Sequence, residues 1–294
     1  MSSDSGSLTY VIGILLAAGI AFVLLNTSNT KSKNTKPSAA PANASGPVLH
    51  SSEYRKFKLV KKIQLSPNTA RYRFALPSPG AFLGLPIGRH IQLMATVDGK
   101  DVARSYTPTS TDNDKGYFEL VVKTYPTGVI SKYLDQMSIG DAINVRGPRG
   151  AFKYVPNMTR AIGMIAGGTG ITPMYQIIQH ILANPEDKTL VSVVFANVNE
   201  DDILLKEQLE QWAAEHENFK VSYVLNNPPS GWTGATGFVS KDLLQQHMPE
   251  PASDIKVLVC GPPPMVKAMD AHLVELGYDK ANIISKPEDQ VFKF

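Results

Sequence analysis

The chain has 294 residues, 43% of them hydrophobic, and a formal net charge of +3. That length and apolar content suit two globular domains and exclude a largely disordered protein, and so slight a charge gives no ground for nucleic-acid binding. One cysteine, Cys260, excludes an intramolecular disulfide and a cysteine-only metal site and fits a reducing compartment.

Residues 8–25 (LTYVIGILLAAGIAFVLL) carry no charge. At ~1.5 Å per residue, these roughly 18 residues span about 27 Å as a helix, close to the hydrocarbon thickness of a bilayer. The preceding segment holds Asp4 and no Lys or Arg, which argues for an uncleaved anchor, residues 1–25, over a signal peptide. Lys31, Lys33 and Lys36 follow it and place the remaining chain in the cytosol. Residues 26–52, rich in Asn, Ser, Thr, Ala and Pro, read as a flexible linker. With that orientation the sequons at Asn26 and Asn43 are expected to stay unglycosylated.

From 53 to 156 the pattern predicts strands at 58–65, 70–76, 90–97, 102–107, 117–125 and 142–146. Turn sequences such as Asp98-Gly99 and Gly147-Pro148-Arg149-Gly150 separate them. Short strands at this spacing predict an antiparallel barrel, with one helix over 128–137. From 157 to 294 strand and helix alternate. Strands are expected at 161–166, 190–196, 220–225 and 256–260 and a fifth around Ile283, with helices from Pro173, from Asp201 (capped by Asn199), from Ser240 and from Pro263. That rhythm predicts a Rossmann-like parallel sheet with ligands at the carboxyl ends of its strands, where Gly167-Gly168-Thr169-Gly170-Ile171-Thr172-Pro173-Met174 and Cys260-Gly261-Pro262-Pro263-Pro264-Met265 both fall.

The glycine run lets backbone approach a ligand, and the next helix offers free N–H groups at its positive end. It lacks the lysine of a Walker loop and the third glycine of the dinucleotide fingerprint, and a plain strand-to-helix turn stays open as an alternative. In Arg104-Ser105-Tyr106-Thr107, strand alternation puts Arg104 and Tyr106 on one side, as a guanidinium fork for a diphosphate beside an aromatic plate. The alternative is an Arg paired with a carboxylate beside a core Tyr. The six histidines show no ligand spacing, so no metal site is expected. Arg55, Lys56, Lys58, Lys61, Lys62, Arg146, Arg149 and Lys153 suit either a docking face for an acidic acceptor or an ordinary solvated surface.

Taken in order, Arg104-Ser-Tyr106-Thr107, Gly128-Val-Ile-Ser131, the glycine run and Cys260-Gly261-Pro262 resemble the ferredoxin-reductase-type FAD/NAD flavoproteins. More closely, they resemble the NADH-cytochrome b5 reductases in their membrane-anchored fungal form, from about Phe57 to Phe294. The resemblance implies FAD on the barrel domain and NADH on the second. It implies that Arg104 meets the FAD diphosphate, Tyr106 the ribityl or ribose region and Thr107 the isoalloxazine, with Ser105 also among the cofactor-binding residues. Val121 and Lys123 would line the flavin or nicotinamide cleft, and Gly128, Ile130 and Ser131 the helix start that receives the diphosphate. Gly168, Thr169 and Gly170 would lie beneath NADH, Thr172 against the flavin, and Cys260, Gly261, Pro262 and Met265 around the nicotinamide, with Pro173 also among the cofactor-binding residues. Thr107, Lys123, Thr172 and Cys260 form the implied catalytic set.

One departure concerns the ribose partner. Family members often carry an acidic residue there, and this chain has Asn226. Asn keeps a hydrogen bond and drops the repulsion of a ribose phosphate, which weakens the expected preference for NADH over NADPH. The resemblance further implies cytochrome b5 as acceptor, an iron protein of diphthamide formation as a second one, and residence in the mitochondrial outer membrane or endoplasmic reticulum. A related reductase serving ferric chelates, quinones or an oxygenase, and a tethered nucleotide-binding adaptor without turnover, are the alternatives.

Overall fold

The computed structural model describes residues 46–294, which belong to one compact unit. The expected anchor at 8–25 and the linker up to residue 45 lie outside the described residues. Among the described residues no helix is long and apolar enough to cross a membrane.

The first lobe is a six-stranded antiparallel sheet of β1 (Arg55–Ser66), β2 (Thr69–Ala75), β3 (His90–Val97), β4 (Lys100–Tyr106), β5 (Tyr117–Lys123) and β6 (Ala142–Arg149). Its strand order is β4-β3-β6-β1-β2-β5. The period-two pattern sends Tyr72 and Phe74 of β2, Ile91 and Leu93 of β3 and Phe118 and Leu120 of β5 into one core, where Phe74 and Phe118 stack at 5.1 Å. No ladder joins the end strands β4 and β5. The segment after β4 reaches β5 through the Thr109 N–H, which donates to the Glu119 carbonyl at 3.0 Å. Helix α1 (Val129–Gln136) plugs this sheet with Ile130 and Leu134. The stretch 147–149, expected as a turn, continues β6 to Arg149, because its backbone stays paired beside β3.

The second lobe is an all-parallel sheet of β7 (Ala161–Gly167), β8 (Leu190–Asn197), β9 (Phe219–Leu225), β10 (Ala235–Thr236), β11 (Ile255–Cys260) and β12 (Val291–Lys293), in the order β10-β9-β8-β7-β11-β12. Every residue of β7 is buried, as a central parallel strand covered on both faces requires. Alternate residues of β7 face different helices. Ile162 and Met164 share a core with α2 (Ile171–Leu182) and α3 (Lys206–Glu215), and Ala161 and Ile165 with α4 (Lys241–His247) and α5 (Pro263–Glu275).

Two expected elements fall elsewhere. Ile283 and Ile284 are 99% and 82% exposed, and the last strand is Val291–Lys293, whose Val291 and Phe292 enter the core. Asn199 caps only the single 3-10 turn Glu200–Asp202; Leu205 at φ 59° then interrupts the chain, and α3 starts at Lys206.

The lobes share side chains along the α2 face. Val121, Phe152 and Tyr154 pack in the same core as Ile171, Met174 and Tyr175. The Gln176 amide oxygen accepts from the Gly88 N–H at 2.8 Å, and its NH2 donates to the Arg89 carbonyl at 3.2 Å.

Candidate active site

The glycine run leaves β7 at Gly167, makes one 3-10 turn over Gly168–Gly170 and enters α2 directly at Ile171. Gly168 lies at φ +52°, in the left-handed region that favours glycine. At Gly170 the constraint is space: a Cβ would sit 2.1 Å from the Cys260 carbonyl oxygen. Ala166 and Cys260 are register partners on adjacent strands, so the loops after β7 and β11 interlock. The Thr172 hydroxyl donates to the Thr169 carbonyl at 3.1 Å and ties the first turn of α2 to the loop.

Beside these loops a cleft of about 830 Å³ lies between the lobes. From the first lobe Arg104, Ser105, Tyr106, Thr107, Val121, Lys123, Gly128, Ile130 and Ser131 line it. From the second come Thr169, Gly170, Thr172, Pro173, Cys260, Gly261 and Pro262. Three expected residues stand apart. Gly168 supports the loop from outside the lining. The Met265 sulfur lies where a Cβ on Gly167 would come within 2.5 Å, so it packs behind the floor. Asn226 sits beyond the end of β9 and donates its side-chain N–H to the Gly237 carbonyl at 3.0 Å.

Arg104 is exposed, and its guanidinium donates to the neighbouring Ala103 carbonyl at 2.8 Å. Among the described residues no carboxylate pairs with it, so the Arg–carboxylate alternative does not hold. At the start of α1, Gly128 provides no side-chain cap. A Cβ there would fall 2.1 Å from Ser131 Oγ, so the glycine keeps the turn narrow beside the cleft. An unpaired guanidinium next to an uncapped helix N-terminus suits a diphosphate. Tyr106 is half-buried and burial pushes its phenol pKa upward, which leaves a neutral aromatic plate. These residues fit a flavin nucleotide.

Cys260 also lies in the cleft wall. Burial pushes its thiol up to about 11, so it is protonated at neutral pH and is no nucleophile. Lys123 reaches across the seam to Asp202, with Nζ 2.6 Å from Oδ1. Burial works against the Asp202 charge, but hydrogen bonds from Lys123 and Asn199 and the field of the ammonium outweigh it and hold the carboxyl below the usual range.

Sequence reasoning missed His90, Tyr125 and Phe294 in the lining. His90 is held below the usual histidine pKa by burial and then by Arg149 and Arg89, so it is neutral at pH 7. Tyr125 follows β5 and brings its hydroxyl to 3.5 Å from Thr169 Oγ1. Phe294 packs on Phe152 and Phe292, and its N–H donates to the Val259 carbonyl at 3.0 Å. Among the described residues no group of three His, Cys, Asp or Glu side chains is placed to share a metal ion.

Of the basic residues, Lys62 pairs with Asp135 at 3.1 Å and Arg146 donates to Gln92 at 2.8 Å. Arg55, Lys56, Lys58, Lys61, Arg149 and Lys153 are exposed.

An antiparallel sheet and a parallel sheet that meet at such a cleft define a two-lobed flavin- and nicotinamide-dependent oxidoreductase. Residues 56–154 match the oxidoreductase FAD-binding domain family and residues 164–271 the oxidoreductase NAD-binding domain family. The chain is 61% identical over 248 residues to NADH-cytochrome b5 reductase 1 of Mortierella alpina, covering 84% of this chain and 83% of that protein. It is 51% identical over 298 residues to the protein of that name from Aspergillus terreus, covering 99% and 98%. Among solved structures it resembles the cytochrome b5 reductase domain of Ulva prolifera nitrate reductase, with a TM-score of 0.78 and 34% identity over 84% of this chain and 100% of that one. The chain belongs to the NADH-cytochrome b5 reductase family.

Proposed function

We propose that the chain is an NADH-dependent flavoprotein reductase that delivers electrons to cytochrome b5. The observation that carries this reading is the single cleft that brings Arg104, Tyr106, Thr107 and the start of α1 opposite the interlocked loops of β7 and β11. When bound, FAD accepts a hydride from NADH and releases electrons one at a time, which links a two-electron donor to a haem acceptor.

Arg104 and the first-turn N–H groups of α1 hold the FAD diphosphate, with Gly128, Ile130 and Ser131 shaping that turn. Tyr106 covers the ribityl region, and the Thr107 hydroxyl hydrogen-bonds the isoalloxazine. Gly167 to Gly170 let the nicotinamide approach closely, and Cys260 with Gly261 and Pro262 frames it as a neutral wall. Thr172, already fixed to Thr169, brings the second lobe against the flavin. Asn226 faces the adenosine ribose through the rest of its amide. The FAD domain is residues 53–156 and the NADH domain 157–294, extents supported by the matched families.

The exposed basic residues of β1 and β6, with Lys153, form the docking face for an acidic acceptor. Residues 8–25 anchor the chain in the mitochondrial outer membrane or endoplasmic reticulum with the domains in the cytosol, a reading supported by the uncharged run and the lysines after it. Anchoring raises the encounter rate with a partner tethered to the same surface. An iron protein of diphthamide formation is a second acceptor on the resemblance alone, and completion of the first sheet into a barrel follows the same expectation.

The test is a visible spectrum of the purified chain followed by anaerobic mixing with NADH and then with cytochrome b5. Flavin bands that bleach with NADH and recover as the haem is reduced are expected. A colourless protein refutes the flavoprotein reading, and a reduced flavin that leaves the haem oxidised refutes the acceptor.

A further inference from the structure

We infer that Asp202 is a positioning residue for the nicotinamide step, acting through Lys123 across the seam between the lobes; this rests on the NADH–flavin reading above. Lys123 ends β5 in the first lobe, and Asp202 ends the 3-10 turn that follows β8 in the second. Their side chains are only 13% and 11% exposed, whereas those of the surface pair Arg160–Asp254 are 52% and 53% exposed. Solvent screens the buried pair far less than the surface one.

The Asp202 carboxylate is held at both oxygens. Oδ1 accepts from Lys123, and Oδ2 accepts from the Asn199 backbone N–H at 3.1 Å and its side-chain N–H at 3.0 Å. It cannot turn toward a ligand without undoing the cap. Asn199 is itself held by Asn227, whose side-chain N–H donates to Asn199 Oδ1 at 3.3 Å from just beyond β9.

Lys123 and Tyr125 line the cleft and Asp202 stands behind them, with Nζ 5.9 Å from the Tyr125 ring centre. The two cations of this cleft differ in kind. Among the described residues Arg104 has no acidic partner and is available to a diphosphate, whereas Lys123 is already ion-paired and fixed. A lysine side chain gives up much rotamer freedom when ordered. The bond to Asp202 imposes that cost before NADH arrives, so the dinucleotide meets an ammonium set in place in advance.

Asp202→Asn separates the two duties of the carboxylate, because its amide oxygen still accepts from Asn199 while its NH2 cannot hold an ammonium. The experiment is anaerobic stopped-flow reduction of the flavin-loaded full chain by NADH, in wild type, Asp202→Asn, Asp202→Glu, Lys123→Met and the Asp202→Asn/Lys123→Met pair. Dithionite reduction controls for an intact flavin. Asp202→Asn is expected to raise the NADH concentration for half-maximal rate about tenfold, Asp202→Glu to restore part of the loss, and the double variant to match Lys123→Met within about twofold, as coupled residues do. A half-saturation unchanged in Asp202→Asn, or effects of the two substitutions that multiply, overturns the inference. If Asp202→Asn fails to fold, Asp202→Ser takes its place, since its hydroxyl can accept from Asn199 and carries no charge for Lys123, and wild-type half-saturation there counts against the inference. Wild-type flavin that dithionite reduces and NADH does not refutes the underlying reading instead.

Discussion

Gly170→Ala probes the floor of the cleft at its tightest point. The backbone at Gly170 has φ −62° and ψ −8°, a conformation open to any residue, so alanine meets no dihedral penalty and the cost is one of space. Its Cβ would lie 2.1 Å from the Cys260 carbonyl oxygen, 2.6 Å from the carbonyl carbon and 3.1 Å from the Gly261 nitrogen, all backbone atoms that no rotamer change can move. Restoring ordinary contact requires the β7 and β11 loops to part by about 1 Å or more. Overpacking of this kind costs about 1–3 kcal/mol, and the immobile neighbours place this site near the upper end. At roughly 2–4 °C per kcal/mol for a unit of this size, the melting temperature should fall by about 6–12 °C. Gly46→Ala, where a Cβ meets nothing within 4 Å, is the control and should melt with wild type. Thermal melts followed by flavin fluorescence, paired with NADH titration of the reduction rate, measure both consequences. A variant that melts within about 2 °C of wild type and keeps its NADH response refutes the interlocked-floor geometry.

Arg104→Met should lower flavin retention about tenfold or more on dilution, as loss of a charge-assisted contact does, while the melting point of the flavin-free protein stays put. Equilibrium dialysis and apo-protein melts check both. Cys260, with its thiol pushed up to about 11 from an ordinary 9.0, should alkylate about a hundredfold more slowly than a free thiol at pH 8, judged by iodoacetamide labelling and mass spectrometry. Asn226→Asp, which would sharpen NADH preference at a ribose site, loses the N–H donated to Gly237, so a lower melting temperature should accompany any change in the NADH/NADPH ratio. At Asp187, burial pushes the carboxyl up, but hydrogen bonds from Tyr154, Thr189 and Asn157 prevail and its folded pKa is lowered. Its stabilisation is therefore present above the unfolded value of about 4 and is lost as pH falls through the folded value. The gap in urea midpoint between wild type and Asp187→Asn should narrow between about pH 5 and pH 3.

The elements readable from sequence were those with a strong local period. β3 begins and ends where alternation predicts, at His90–Val97, and α4 starts behind the Ser240 cap, whose hydroxyl accepts from the Leu243 N–H. The C-terminal strand escaped because three residues carry no period, while Ile283-Ile284 offered a stronger apolar signal that tertiary packing never uses. The cap at Asn199 was real, but Leu205 in the left-handed region ended its turn, and no sequence rule flags a leucine there. In the site, the strand-end loops were legible because glycine and proline have few other uses at such spacing. His90, Tyr125 and Phe294 come from three distant parts of the chain and carry no shared motif, so only the packing of the lobes brings them to one cleft.

The sheet order has a consequence for assembly. β7 pairs with β8, its next strand in sequence, and also with β11, which the chain reaches only after completing β9, β10 and α4. Of the pairings in that sheet, β7 with β11 closes the longest loop, so its ordering entropy is the largest to overcome. The floor proposed for the nicotinamide thus depends on the costliest loop closure of that sheet, whereas Arg104, Tyr106 and the start of α1 belong to a lobe whose strands all precede β7. A chain that has released β11 would keep its yellow colour and stop answering to NADH, which makes the NADH response a reporter of the sheet's most distant pairing.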